Sequence, residues 1–491
     1  MAHLRRYDRD HSRRAFLEAT GRGLLRAGVF GSAWAAFLRS GSVAAAYPDE
    51  LLSIEAYTRG RLKPGDTIDA GNVEWVKDLL DPVRHGQIAG MGRKLVLAPT
   101  TTDLARLNPL PYLEASARHR GKARFDADGN IVTTDGKPWI GGNPFPEPSS
   151  PLEVFAAHTL SWGRHDVSVY ASKEYDLDAS GTLQYQYASV WAEMAAVGRT
   201  VVEPRPYWDG EPGKLRYQSV LFTEPADVRG TVYLNVWPYD QNQFPQLYGY
   251  LPAFKRVRSF PTNQRFEPLV PGAELYLSDA WAAGDPFLTW GNYRVVQRGP
   301  HLAAVSGGWS SEHPNWEHKT HGGPKGNLFW DQVVELVPEA IVIEAEPLRY
   351  PRAPVGSKRV WLDARTLTPF QMLSYDRRGE AFRHFDAAFA CYEDGKARVS
   401  DGKDPFLGHG ARLQRPDPPD DAHQAGARGR RRPCDARQRP VRLRALPDAY
   451  GAAAARRLSA RPLSNRQRTR RRRCRSTRKC KDCSMPSRPR A

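Results

Sequence analysis

The residues best equipped for chemistry fall in three short stretches. "AFKRVRSFPTNQRF" sets Lys255, Arg256, Arg258 and Arg265 among Phe254, Phe260 and Phe266. Alternate residues of a strand share a face, so Arg256 and Arg258 would point one way, Lys255 and Val257 the other. Cations interleaved with rings suit an anionic headgroup beside an apolar chain, which makes Lys255, Arg256, Arg258, Arg265 and Phe254 the ligand-binding candidates. An edge strand guarded by charge fits the same residues and is the favoured reading.

The second stretch, "SSEHPNWEHKTHGG", gathers Glu312, His313, Glu317, His318 and His321. Imidazoles with a carboxylate suit zinc, copper or nickel. Pro314 and the closing Gly-Gly argue against a rigid helix that would fix such ligands, so a polar loop is the better reading and His318 and His321 are weak metal candidates. The third, "HTLSWGRHD", offers His158, Ser161, His165 and Asp166. Neighbours on one segment rarely converge as a nucleophile, base and orienting acid must, and no catalytic residue is assigned. No glycine-rich loop precedes a helix, so nucleotide binding has no support and no cofactor is expected.

These stretches need elements to carry them. "PDELLSIEAYTRG" and "AGNVEWVKDLLDPVRHGQIAGM" have apolar residues at helical spacing, whereas residues 121–150 are rich in Gly, Pro, Asn and Asp and read as a surface loop. "SPLEVFAAHTLSWG" predicts a helix capped by Ser150, with Glu153 three residues on and an apolar face of Leu152, Phe155 and Leu160. Beyond it, runs such as "GTLQYQYASVWAEM", "RGTVYLNVWPYDQ" and "AIVIEAEPL" read as strands. "KRVWLDARTLTPFQMLSYDRRGEAFRHF" reads as a three-stranded meander with turns at "DARTL" and "DRRGE". Many strands, few helices and no helix regularly between strands predict an α+β fold: a large curved antiparallel sheet, an open half-barrel with a few packed helices.

The two ends are of another kind. Arg13 and Arg14, followed by Phe16 and Leu17, resemble a twin-arginine export motif. The twelve uncharged residues from Ala27 to Leu38 are too few to span a bilayer, which takes ~20. Ala44-Ala45-Ala46 supplies small residues for cleavage after Ala46, so residues 1–46 read as a signal peptide delivering a folded chain to the periplasm through the twin-arginine translocase.

The formal net charge of +18 would suggest nucleic acid or an acidic membrane surface as a partner. From Ala411 to Ala491, however, 23 Arg and 2 Lys stand against six Asp and no Glu, so the rest of the chain is close to neutral. Four of the five cysteines also lie there, leaving Cys391 alone in the body and no disulfide to staple it. Residues 408–491 read as an Arg-rich disordered tail with the composition of a GC-rich gene translated in the wrong frame, the shift falling near Gly408 to Arg412. A disordered nucleic-acid-binding arm is the alternative, and no nucleic-acid partner is assigned.

Within the body, "GGNPFPEPSSPLEVFAAHTL", "LYGYLPAFKRVRSFP" and "SKRVWLDARTLTPFQMLSYDRRGEAFR" resemble the bacterial family called domain of unknown function 1329. The matching positions are Pro144-Phe145-Pro146, Tyr250-Leu251-Pro252 with Arg256-Val257-Arg258, and Lys358-Arg359-Val360 with Asp363, Tyr375-Asp376, Gly379 and Arg383. The resemblance runs from Gly141 to Phe385. It departs at "NLFWDQVVELVPEAIVIEAE" and at the tail, which supplants the expected closing segment. It implies a periplasmic protein similar to the outer-membrane lipoprotein-sorting carriers, holding acyl chains on a concave sheet and associated with an envelope exporter or outer-membrane component. The expected organisation is a helical and loop part over 47–140 and a sheet domain over 141–407. The expected function is non-enzymatic carriage of a lipid or other lipophilic small molecule, the alternative being an exported metal-binding protein or enzyme using the Glu312 to His321 loop.

Overall fold

The computed structural model describes residues 46–161, 164–177, 182–261, 265–266, 268, 276–279, 285–309, 329, 332–394, 397–398, 407–414 and 424–431. The export-motif residues Arg13, Arg14, Phe16 and Leu17 and the metal candidates His318 and His321 lie outside them. Among the described residues the α-helices are short: α1 (Asp49–Leu52), α2 (Ile54–Tyr57), α3 (Pro82–Met91), α4 (Leu110–His119) and α5 (Pro151–Leu160).

Strands dominate the rest. Early in the chain come β1 (Thr67–Ile68), β2 (Leu95–Ala98), β3 (Ala123–Phe125) and β4 (Ile131–Thr133). A first run follows: β5 (Val167–Leu177), β6 (Leu183–Ala195), β7 (Lys214–Glu224), β8 (Val232–Pro238), β9 (Gln246–Leu251) and β10 (Arg256–Phe260). A second contains β11 (Gly291–Trp309), β12 (Gln332–Glu346), β13 (Val355–Asp363), β14 (Pro369–Asp376) and β15 (Ala381–Asp394). β16 (Ala397–Arg398), β17 (Leu407–Gln414) and β18 (Gln424–Arg431) complete the series. β18, and all of β17 but Leu407, fall within the stretch that composition assigns to the tail; residues 432–491 lie outside the described ones.

All strands but β3 and β4 join one sheet, in the order β1-β2-β12-β13-β14-β15-β17-β18-β5-β6-β7-β8-β9-β10. β11 lies antiparallel to β12 through residues 291–303, then pairs in parallel with β15 from Ala304 to Trp309, and β16 pairs with the end of β15. The pairings β11-β12-β13-β14-β15-β11 therefore close on themselves, while the run ending in β10 stays open. This is the expected large curved, mainly antiparallel sheet with a few packed helices.

Local chemistry accounts for the central elements. The meander β13-β14-β15 turns where Asp363 Oδ1 accepts from Arg365 N at 2.9 Å, and where Asp376 Oδ1 accepts from the N–H groups of Arg378 and Glu380 at 2.8 and 2.9 Å. Gly379 supplies the left-handed φ of 79° in the second turn. In β12, "AIVIEA" is buried at every position because both faces of the strand are covered, which is why it shows no alternation.

α5 begins as predicted, with Ser150 Oγ accepting from Glu153 N at 3.2 Å. The Glu153 carboxylate reaches back to Ser149 rather than to Ser150. Val154 and Ala157 pack on the closed strands while Leu152, Phe155 and Leu160 pack beside Trp139, Trp237 and Phe287, so the helix is apolar on two sides rather than one.

Two expectations are revised. Residues 121–150 are not simply a surface loop: β3 and β4 form a hairpin around "DADGN", where Asp126 Oδ1 accepts from Asp128 N and Asn130 N, and Ile131, Trp139 and Asn143 are buried. The N-terminal part is also not separate from the sheet. β2 pairs in parallel with β12, and Ile54, Val76, Leu79 and Ile88 share a core with Leu302, Val334 and Leu336.

Candidate functional site

Strand register builds a site beneath α5. Ile343, Val360, Met372 and Phe385 stand opposite one another across β12-β13-β14-β15 and form an apolar rung. The next rung on the same face is Ala345, Lys358, Ser374 and Arg383. A period of two thus carries an apolar strip directly into a cationic one, and Lys358 and Arg383, 25 positions apart, become neighbours of the small Ser374.

A narrow seam lies over these rungs. Phe155 and His158 of α5 form one wall; Ile343, Ala345, Val360, Pro369 and Met372 form the apolar floor; Lys358, Ser278, Asp285 and Trp290 close one end. Its free volume is about 30 Å³, room for a water molecule or two. In this conformation the seam is nearly shut.

The polar end is an ionic cluster inside the protein. Asp285 accepts from Arg265 Nε at 2.5 Å, Ser278 Oγ at 2.7 Å and Trp290 Nε1 at 2.8 Å. Lys358 Nζ donates to Ser278 Oγ at 2.9 Å and to the Ser278 carbonyl, lies 3.9 Å from Asp285, and sits 4.6 Å from the centroid of the Trp290 ring. Asp279 accepts from Arg383 Nη2 at 2.6 Å, and the Arg383 guanidinium stacks 4.0 Å over Tyr276. Arg216 donates to the Thr159 carbonyl at 3.2 Å, placing a cation against the negative end of α5.

Burial opposes the charges of Asp285, Lys358 and Arg216, and the pairing answers it unevenly. Desolvation alone would raise the Asp285 carboxyl, but Arg265, Lys358 and the Ser278 hydroxyl hold it below the ordinary range. For Lys358 desolvation prevails over Asp285 and Asp279, so its ammonium is more acidic than an ordinary lysine. The Arg216 guanidinium is pushed down to about 10 by burial, with Glu193 opposing the fall.

The opposite face of the same strands carries a second buried network. Asp386 binds both Arg84, at 3.3 Å, and Arg93, and Gln332 Oε1 accepts from the same two guanidinium groups. Asp81 caps α3, accepts from Gln371 at 2.5 Å and lies 3.4 Å from His384, while His301 meets Gln371 at 2.7 Å. Burial and the nearby Arg84 depress the His301 imidazole to about 4. Beside this network Arg365, clamped by Asp363 and Glu335 against their buried carboxylates, is held in its charged form.

The sequence candidates separate here. Phe254 and Lys255 occupy the turn between β9 and β10, and Arg256 and Arg258 lie in β10; all four are exposed, and Lys255 has φ 47°. Arg265 belongs instead to the buried cluster, 2 % exposed, because its carboxylate partner Asp285 lies twenty positions on. Of the third stretch, Ser161, His165 and Asp166 line one cleft and His158 another. Asp166 spends its carboxylate on the backbone N–H groups of Thr200, Val201 and Val202 at 2.6–3.0 Å. Among the described residues no group of His, Cys, Asp and Glu could hold a metal ion. Asp279, Asp285, Arg84, Arg93 and Asp386 were not singled out by sequence; Lys358 and Arg383 were marked by the motif that carries them. What the seam offers chemically is binding: an apolar floor ending in paired charges.

Comparison with known proteins adds the family. The model of a family described as "Protein of unknown function (DUF1329)" matches residues 67–404. No curated protein matches the sequence. Among solved structures, a DUF1329 family protein from Desulfovibrio piger is 14 % identical, with 57 % of this chain and 90 % of that one covered and a TM-score of 0.37. A putative outer membrane lipoprotein-sorting protein domain from Vibrio parahaemolyticus is 14 % identical over 57 % and 89 %, with a TM-score of 0.36. A LolA superfamily protein from Nitrosomonas europaea is 11 % identical over 56 % and 88 %, with a TM-score of 0.29.

Proposed function

We propose that this chain, which belongs to the DUF1329 family, is a non-enzymatic carrier that takes a lipophilic molecule between α5 and the strands beneath it. One observation carries the reading: a helix apolar on two sides lies across an apolar rung that runs straight into a cationic one. An amphiphile has this arrangement in reverse, with a hydrocarbon portion for Ile343, Val360 and Met372 and a polar group for the Lys358 end. The seam is too narrow to hold an acyl chain as it stands, so α5 acts as a lid that lifts when the ligand enters.

The cell envelope is the compartment such a carrier serves, with export by the twin-arginine route and delivery to, or receipt from, an exporter or outer-membrane component as the finer parts of the proposal. Native mass spectrometry of the protein purified from an envelope fraction tests the carrier reading. A co-purified hydrophobic ligand, lost when Met372→Trp fills the seam, is the expected result. Protein that is empty in every preparation, and that takes up no apolar fluorophore, would overturn it.

A further inference from the structure

The β9–β10 hairpin is built unlike the rest of the sheet. It is the open end of the strand order, and among the described residues nothing pairs with the outer edge of β10. Phe254 is 50 % exposed, Val257 51 % and Tyr250 37 %, and the register sets Val257 directly opposite Tyr250. Lys255, Arg256 and Arg258 alternate with them along the hairpin, all exposed, with the Arg258 guanidinium 4.1 Å from the centroid of the Phe254 ring. From Gln241 to Phe266 the sequence contains no Asp or Glu.

We propose that this hairpin docks on an anionic lipid surface. Phe254, Val257 and Tyr250 enter the interfacial layer, and Lys255, Arg256 and Arg258 meet headgroup phosphates. Rings and a β-branched side chain flanked by cations, with no acid to repel phosphate, match a membrane interface in both polarity and sign. Pairing with a partner's strand is a poorer match, because a five-residue edge carrying two arginines is the pattern that discourages strand addition. The proposal is independent of whether the seam beneath α5 holds a ligand.

Because the Arg-rich tail can itself attract anionic vesicles, the test must read the hairpin locally. Hydrogen–deuterium exchange of the full chain is compared without vesicles, with phosphatidylcholine vesicles, and with vesicles containing phosphatidylglycerol. The expected result is protection of peptides spanning 246–260 by the anionic vesicles alone. That protection is lost in R256E/R258E and weakened in F254A, with a drop of roughly fivefold in apparent affinity for each basic residue removed. Sedimentation with anionic vesicles while 246–260 exchanges as in free protein would assign binding to another region and overturn the proposal. So would protection that appears without vesicles at high protein concentration, which would mark β10 as a site for a second chain.

Discussion

The closed strands β11–β15 and the open hairpin β9–β10 handle charge in opposite ways. In the closed region both faces are covered, and Arg84, Arg93, Arg265, Arg365 and Arg383 lie at no more than 2 % exposure, each against a carboxylate. At the open end Arg256 and Arg258 sit in water. A buried guanidinium is tolerable only with its partner in place, whereas an exposed one contributes little to stability and is available for something outside the molecule. Arginine content therefore says little about function in this chain until burial is known.

The largest effect is expected at Asp386. Asp386→Asn leaves two buried guanidinium groups without their carboxylate, and a loss of about 3–5 kcal/mol is expected in chemical denaturation. A loss under ~1 kcal/mol would mean that the closed strands and the open hairpin do not differ as described.

A second effect appears in acid. The folded His301 titrates near 4 and its unfolded counterpart near 6.5, so between these values the unfolded chain binds the extra proton. Its contribution is present above about pH 6.5 and is lost as pH falls towards 4, amounting to about 3 kcal/mol. Denaturation midpoints measured across that window should fall in the wild type and fall less in His301→Gln.

On the open side the effect is expected at Gly249. A Cβ there would lie 2.6 Å from the Phe260 ring and 3.0 Å from that of Tyr233, rings that meet across β9 with centroids 5.8 Å apart. Gly249→Val should cost about 1–3 kcal/mol in thermal or chemical unfolding. The smallest effect is expected at Arg256→Ala, within about 0.5 kcal/mol on the same measurements, since its side chain is exposed.

What sequence could show follows from the range of the interactions. The meander was legible because its turns rest on Asp363 and Asp376 bonding to N–H groups two to four residues away. The Ser150 cap was legible for the same reason. Parallel pairings of β2 with β12 and of β11 with β15 leave no local trace. Arg265 was grouped with its sequence neighbours in the hairpin, yet its position is decided by Asp285 and the Ser278 turn. Of the site, the motif exposed Lys358 and Arg383, while the carboxylates answering them stand in irregular segments where no periodicity marks a face.

The long reach of these contacts also bears on how the chain is made. Tyr47 bonds Glu339 across 292 positions, Arg365 reaches the Thr101 carbonyl across 264, and Arg84 finds Asp386 across 302. A chain emerging from the ribosome must therefore keep its early helices and β2 waiting until β12–β15 have been synthesised, with apolar surface uncovered meanwhile. Such topology makes folding slow and late, and leaves that surface open to aggregation until the last strands arrive.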